Sequence, residues 1–206
     1  MKPMDIERRS FEIIARELGD RKIDPEYDLL VRRVIHATAD FDYCDSLAFS
    51  AHAMKKLTDA LRVGADVVTD TTMAQAGINK RALESFGGRA RCFIADADVA
   101  AEAKARGVTR SFVSMEKAAR LDRPMVFAIG NAPTALMSIC DLVRAGRLIP
   151  EIVIGVPVGF VNVVEAKEEL MRLPVPYIVA RGRKGGSAVA AAIVNAALYQ
   201  LIEREE

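Results

Sequence analysis

Histidine is scarce in this 206-residue chain: only His36 and His52 are present. His36 follows Arg33 by three positions in VRRVIHATAD, a spacing that puts both side chains on one face of a helix. Leu29, Leu30, Val34 and Ile35 are the apolar neighbours of that pair, and Thr38 and Asp40 the polar ones. A lone histidine on a helix is more often a packed or surface residue than a catalyst. Histidine nevertheless changes charge near neutral pH, and the neighbouring Arg33, Thr38 and Asp40 make His36 a candidate for moving a proton. His52, in FSAHAMKKL, is assigned to helix packing or the surface. A second concentration of chemistry is RGRKGGS (181–187). Arg181, Arg183 and Lys184 carry charge there, and Gly185 and Gly186 leave backbone N–H groups open where a helix begins. Carboxylate or phosphate binds at such a helix start; a solvated basic turn is the plainer reading. Neither GxxxxGK[ST] nor GxGxxG occurs, so nucleotide cofactors lack their usual motifs. Cys44, Cys92 and Cys140 lie far apart, form no CxxC and have no histidine nearby in sequence. This argues against a disulfide framework, a structural zinc and, with GxSxG also missing, nucleophilic catalysis.

Regular elements must position these residues. Ile6, Phe11, Ile14 and Leu18 recur at helical spacing over 5–19, and Gly19 can end that helix. A second helix is expected from Asp24-Pro25, a capping residue followed by proline, through YDLLVRRVIHATAD. A third spans 46–63. Runs rich in valine and isoleucine then appear at 65–70, 90–96, 124–130, 151–156 and 176–182, separated by helical stretches at 97–107 with 112–120, 132–145, 162–172 and 186–203. Five buried strands alternating with helices predict an α/β fold: a five-stranded parallel sheet with helices on both faces, preceded by an extra helical N-terminal third. In such sheets ligands bind beyond the carboxyl ends of the strands. Four of the five strands feed loops of glycine, proline and polar residues, at 70–73, 130–134, 155–160 and 181–187. Any one of these could be a simple turn, but four on one edge favour a ligand crevice.

Composition narrows the function further. Twenty-nine basic against 28 acidic residues give a net charge of +1, which supplies no field for a nucleic-acid polyanion. No apolar run reaches the ~18 residues of a membrane span, and MKPMDIERRS lacks a signal peptide's apolar stretch. The expectation is a soluble, cytoplasmic protein of one domain, 1–206, with no linker or internal repeat.

The set RSFEII (9–14), VRRVIHATADF (31–41), TDTTM (69–73), GNAPTAL (130–136), GVPVGFV (155–161) and RGRKGGSA (181–188) resembles the precorrin-8X methylmutases of cobalamin biosynthesis. The resemblance runs from about residue 6 to 200, and the order and intervals of the last three motifs make it specific. It implies a flavodoxin-like three-layer sandwich, a homodimer and no added cofactor. The implied reaction moves one methyl group from C11 to C12 of ring C of a corrin-type macrocycle, giving hydrogenobyrinic acid or its cobalt-containing counterpart, cobyrinic acid. The family's catalytic histidine corresponds to His36. Its substrate-binding serine and arginine correspond to Ser10 and Arg33, and a further arginine to Arg110 of VTRSF. Asn131 and Arg183, in the motifs of the carboxyl-end loops, complete the substrate-binding set. HATADFDY, where some aerobic-pathway members carry a glycine-containing stretch, is more similar to the cobalt-using branch. Asn162 and the bulky valines after GFV depart from the family's small residues there.

The residues agree with that chemistry. A [1,5] methyl shift needs neither nucleophile nor redox partner, only a large conjugated ring held in one geometry and a well-placed proton. Peripheral carboxylates of such a ring call for arginines and helix N-termini. Two other readings use the same crevice: a non-catalytic tetrapyrrole carrier, and a flavodoxin-like FMN binder with its phosphate at RGRKGGS.

Overall fold

The first helix buries Ile14 and Leu18 but leaves Ile6 half exposed, because its N-terminal half lies against a cleft instead of the core. The computed structural model describes residues 3–203. In chain order the N-terminal third holds α1 (Pro3–Leu18), α2 (Asp28–Thr38), α3 (Tyr43–Ser46), β1 (Leu47–Phe49) and α4 (Ala53–Arg62). Helix α2 starts at Asp28, later than the Asp24-Pro25 signal. Asp24 instead closes a turn, its carboxylate accepting from the Glu26 N–H and its carbonyl from the Tyr27 N–H.

The helix expected over 46–63 is broken, which changes the sheet. Residues 47–49 form a strand that pairs antiparallel with β6 (Tyr177–Ala180), Leu47 opposite Ala180 and Phe49 opposite Ile178. Tyr27 stacks on Phe49 with ring centroids 3.8 Å apart, and His52, at φ 56°, turns the chain into α4. A three-residue strand carries too little alternation to be told from a helix by periodicity.

The rest of the chain contains β2 (Asp66–Thr69), α5 (Thr72–Gly77), α6 (Lys80–Ser85), β3 (Ala90–Cys92), α7 (Ala97–Arg106), α8 (Arg110–Ala118), β4 (Met125–Ile129), α9 (Pro133–Arg144), β5 (Ile152–Gly155), α10 (Val163–Met171), β6 and α11 (Ser187–Glu203). The five expected strands are all present and mutually parallel, but the sheet is six-stranded and mixed, in the order β1-β6-β5-β4-β2-β3. Helices α5 and α6, capped by the side chains of Thr71 and Asn79, occupy a stretch to which the sequence pattern assigned no element.

Alternation along the strands sorts the core into two layers. Val67, Val126, Ala128, Ile152, Ile154, Ile178 and Ala180 face α2, α4 and α11. Val68, Phe127, Ile129, Val153 and Val179 face α8, α9 and α10. No helix among the described residues is long and apolar enough to cross a membrane.

Candidate active site

Leu30, Val31, Val34 and Ile35 bury one face of α2, chiefly against α11. That packing leaves Arg33 and His36 on its flank, where α1 crosses. The His36 imidazole is exposed and lies parallel to the Phe11 ring, 5.3 Å between centroids. The Arg33 guanidinium sits 4.4 Å from the centre of the Tyr199 ring and 5.4 Å from that of Phe11, distances at which aromatic faces attract a cation. Its Nη1 donates to the Glu7 carboxylate at 3.1 Å, and its buried Nε has no hydrogen-bond partner. Ile6, Glu7, Ala37, Ala192, Asn195 and Tyr199 join Arg33 and His36 around a cleft of about 540 Å³. The wall is partly apolar and carries one imidazole, one guanidinium paired with a carboxylate, and the Asn195 amide.

Ser10 does not line this cleft. Its hydroxyl donates to the Ile6 carbonyl one turn back within α1, at 2.9 Å. His52 is exposed, with Glu26 at 3.8 Å, in keeping with its surface assignment.

The other expected site residues gather at the carboxyl edge of the sheet. Asp70, buried at the end of β2, accepts three backbone N–H groups, from Gly130 (2.9 Å), Asn131 (2.8 Å) and Ala132 (2.6 Å). Burial pushes its carboxyl up, and the three donors oppose that shift. This fixes the turn after β4 and leaves Asn131 exposed. Arg110, also exposed, opens α8. Thr109 just before it donates to Thr134 at the start of α9 at 2.8 Å, so the two helix starts stand side by side. Arg183 is exposed, its guanidinium 5.4 Å from the centre of the Phe160 ring. Phe160 (81% exposed) and Val161 (77%) form an apolar rim there.

The loop 181–187 differs from its expected role in two respects. Lys184 is not free for an anion: its ammonium donates to Asp40 (2.7 Å) and Asp42 (2.6 Å), just past the end of α2. The same bond holds the Asp40 carboxyl below its ordinary range. The Gly186 N–H is also engaged, with the Val156 carbonyl at 2.9 Å. The backbone packs too closely here for side chains. A Cβ on Gly185, at φ +157°, would stand 2.1 Å from the Val156 oxygen, and one on Gly130 2.7 Å from Ser187 Cα.

One chain therefore presents two groups of residues, Arg33 with His36 in the cleft and Arg110, Asn131 and Arg183 at the edge, connected through the Lys184 ion pairs. Lys167 escaped the sequence reading. It is fully buried in α10, and its ammonium donates to the Gly182 and Lys184 carbonyls at 2.8 and 2.9 Å. Its spacing gave a signal, since Val163, Ala166 and Leu170 surround it on one helical face. Burial also pushes the Cys140 thiol up to about 12, far from a nucleophile's range.

Comparison with known proteins gives the chain its relatives. The family model described as precorrin-8X methylmutase matches residues 5–200. The cobalt-precorrin-8 methylmutase of Salmonella typhimurium is 46% identical over 207 residues, 98% of this chain and 97% of that protein. That of Priestia megaterium is 45% identical over 196 residues, covering 95% and 87%. A crystal structure of precorrin-8x methyl mutase from Thermus thermophilus superposes with a TM-score of 0.89 at 38% identity, covering 98% of this chain and 97% of the other. With a family model matched over nearly its whole length and relatives this close, the chain belongs to the precorrin-8X methylmutase family.

Proposed function

We propose that the chain, acting as one methylmutase domain, is an isomerase of cobalamin biosynthesis that moves a methyl group from C11 to C12 of the corrin ring of precorrin-8 or cobalt-precorrin-8. The observation that carries this reading is the cleft on α2. An exposed imidazole and an arginine, the latter paired with Glu7, share one wall with Ile6, Ala37, Ala192 and Tyr199, which suits a flat conjugated ring fringed with carboxylates. The methyl group leaves one ring carbon and bonds to its neighbour within the conjugated system, so the product is an isomer and no redox partner is consumed. His36 would hold a proton against the macrocycle and bias its electrons toward the shift. A well-placed acid of this kind contributes ~10²–10⁴-fold. The Phe11 stack keeps the imidazole plane in one orientation, and Arg33 would take a carboxylate. The names of the relatives at 45–46% identity favour the cobalt-containing substrate.

Three finer readings go with this one. The five parallel strands run in the order 2-1-3-4-5 when numbered among themselves, which supports a flavodoxin-like sandwich carrying an added antiparallel edge strand. The separation of His36 and Arg33 from Arg110, Asn131 and Arg183 supports a homodimer in which a second copy completes each site. A precursor-modifying step of this kind belongs in the cytoplasm.

The test is incubation with cobalt-precorrin-8, followed by the absorption spectrum and identification of the product. Conversion to cobyrinic acid is expected. Return of the ligand unchanged would make the protein a carrier and overturn the reading.

A further inference from the structure

A lysine ammonium fully out of water is costly unless its donors are used. Lys167 lies among Val163, Ala166 and Leu170 on the buried side of α10, where an aliphatic residue is the ordinary occupant. No carboxylate pairs with it among the described residues; its partners are the two carbonyls of Gly182 and Lys184. Burial accordingly pushes its amine down to about 8.

The two acceptors flank Arg183. The intervening carbonyl, that of Arg183 itself, accepts from the Gly159 N–H at 3.1 Å. Three consecutive carbonyls are thus held, two from beneath by one ammonium and the third by the neighbouring loop. What remains outside is the Arg183 guanidinium, set over the Phe160 ring that follows Gly159. The Lys184 side chain leaves the same anchored segment to reach Asp40 and Asp42, beyond the end of the helix carrying His36.

We infer that Lys167 is a positioning residue: it fixes the backbone at 182–184 so that Arg183 is presented to a substrate carboxylate while Lys184 ties the same loop to the His36 helix. This rests on the reading of Arg183 as a substrate ligand given above. The lysine does not touch substrate; it acts through Arg183. An arginine on a loop free to move gives up part of its binding advantage to ordering the loop when substrate arrives.

The experiment is a double-mutant cycle between Lys167 and Arg183, read by kcat and KM on cobalt-precorrin-8 and by direct corrinoid titration. K167M keeps the aliphatic volume and removes the donors. It should raise KM and the dissociation constant about tenfold, with kcat within threefold of wild type. R183A should raise both constants at least as much, and K167M/R183A should be no worse than R183A alone. K167Q, which retains two N–H donors, should recover part of the loss. It takes the place of K167M in the cycle should the latter not fold. Amide exchange of Gly159 and Gly186 is followed in parallel without any corrinoid and should quicken in K167M. Additive effects of K167M and R183A, or constants within twofold of wild type for K167M, would overturn the proposal. A wild-type protein that binds the corrinoid but leaves it unconverted would sink the isomerase reading alone, because the titration cycle and the exchange measurement still decide the role of Lys167.

Discussion

The imidazole of His36 and the ring of Phe11 lie 5.3 Å apart and 15° from parallel, although one residue belongs to α1 and the other to α2. The stack restrains the ring about its side-chain bonds while leaving the imidazole exposed to the cleft. His36→Ala should therefore keep corrinoid affinity, which other groups supply, and lose roughly 10²–10⁴ in single-turnover rate. His52→Ala should change neither quantity. A His36→Ala variant that converts substrate at the wild-type rate would leave catalysis to ring positioning alone.

Arg33 is already paired in the free protein, with Glu7. A substrate carboxylate must share or displace that partner. Arg33→Ala should weaken binding by about 1.5–3 kcal/mol, the worth of a hydrogen bond to a charged group. Glu7→Gln should tighten it a few-fold by freeing the guanidinium. Titration of the bound chromophore's absorption measures both, and an affinity unmoved by either substitution would show that the macrocycle binds elsewhere.

Asp70 braces the turn that carries Asn131. Asp70→Asn retains one acceptor oxygen where two oxygens now serve three N–H donors, so a buried donor must face an amide NH₂. We expect a loss of about 2–4 kcal/mol in folding stability, seen as a lower urea midpoint with an unchanged slope. An unaltered midpoint would mean the turn is held without Asp70.

Lys167 should leave its mark on the pH dependence of stability. Its amine is lowered from 10.5 to about 8 in the folded chain. Between those pH values the unfolded chain keeps a proton that the folded chain has released, so stability rises with pH across that window. Below pH 8 both states are protonated and the burial cost is present in full. Relative to K167M, wild-type protein should gain on the order of 3 kcal/mol between pH 8 and 10.5. Denaturant unfolding at the two pH values checks this, and parallel behaviour of the two proteins would contradict it.

Completion of each site by a second copy predicts that sedimentation at micromolar concentration detects a dimer. Charged substitutions on the exposed rim at Phe160 or Val161 are expected to weaken either the dimer or corrinoid binding. A protein that sediments only as monomer and still turns over at the full rate would rule out the shared site.

Read alone, the sequence carried what a clear short-range period governs, although the short helices α5 and α6 fell outside it. Valine and isoleucine runs placed the five parallel strands, three-residue spacing put Arg33 and His36 on one flank of α2, and the order of loop motifs pointed to the carboxyl edge and to the family. Relations between distant segments emerged only from the fold. Lys184 looked like a free anion ligand until the fold brought Asp40 and Asp42, 144 and 142 residues away, against it. Strand β1 is defined by its partner β6, because three residues have no period of their own. Lys167 carried a helical signal, yet its two acceptors lie 15 and 17 residues further on, across a strand. Ser10 kept its place in the motif but turned its hydroxyl to its own helix, and Phe11 and Glu7 gained their roles only where α1 crosses α2. Local propensity is written in neighbouring residues, whereas ion pairs, buried donors and stacked rings depend on which elements the sheet order sets side by side.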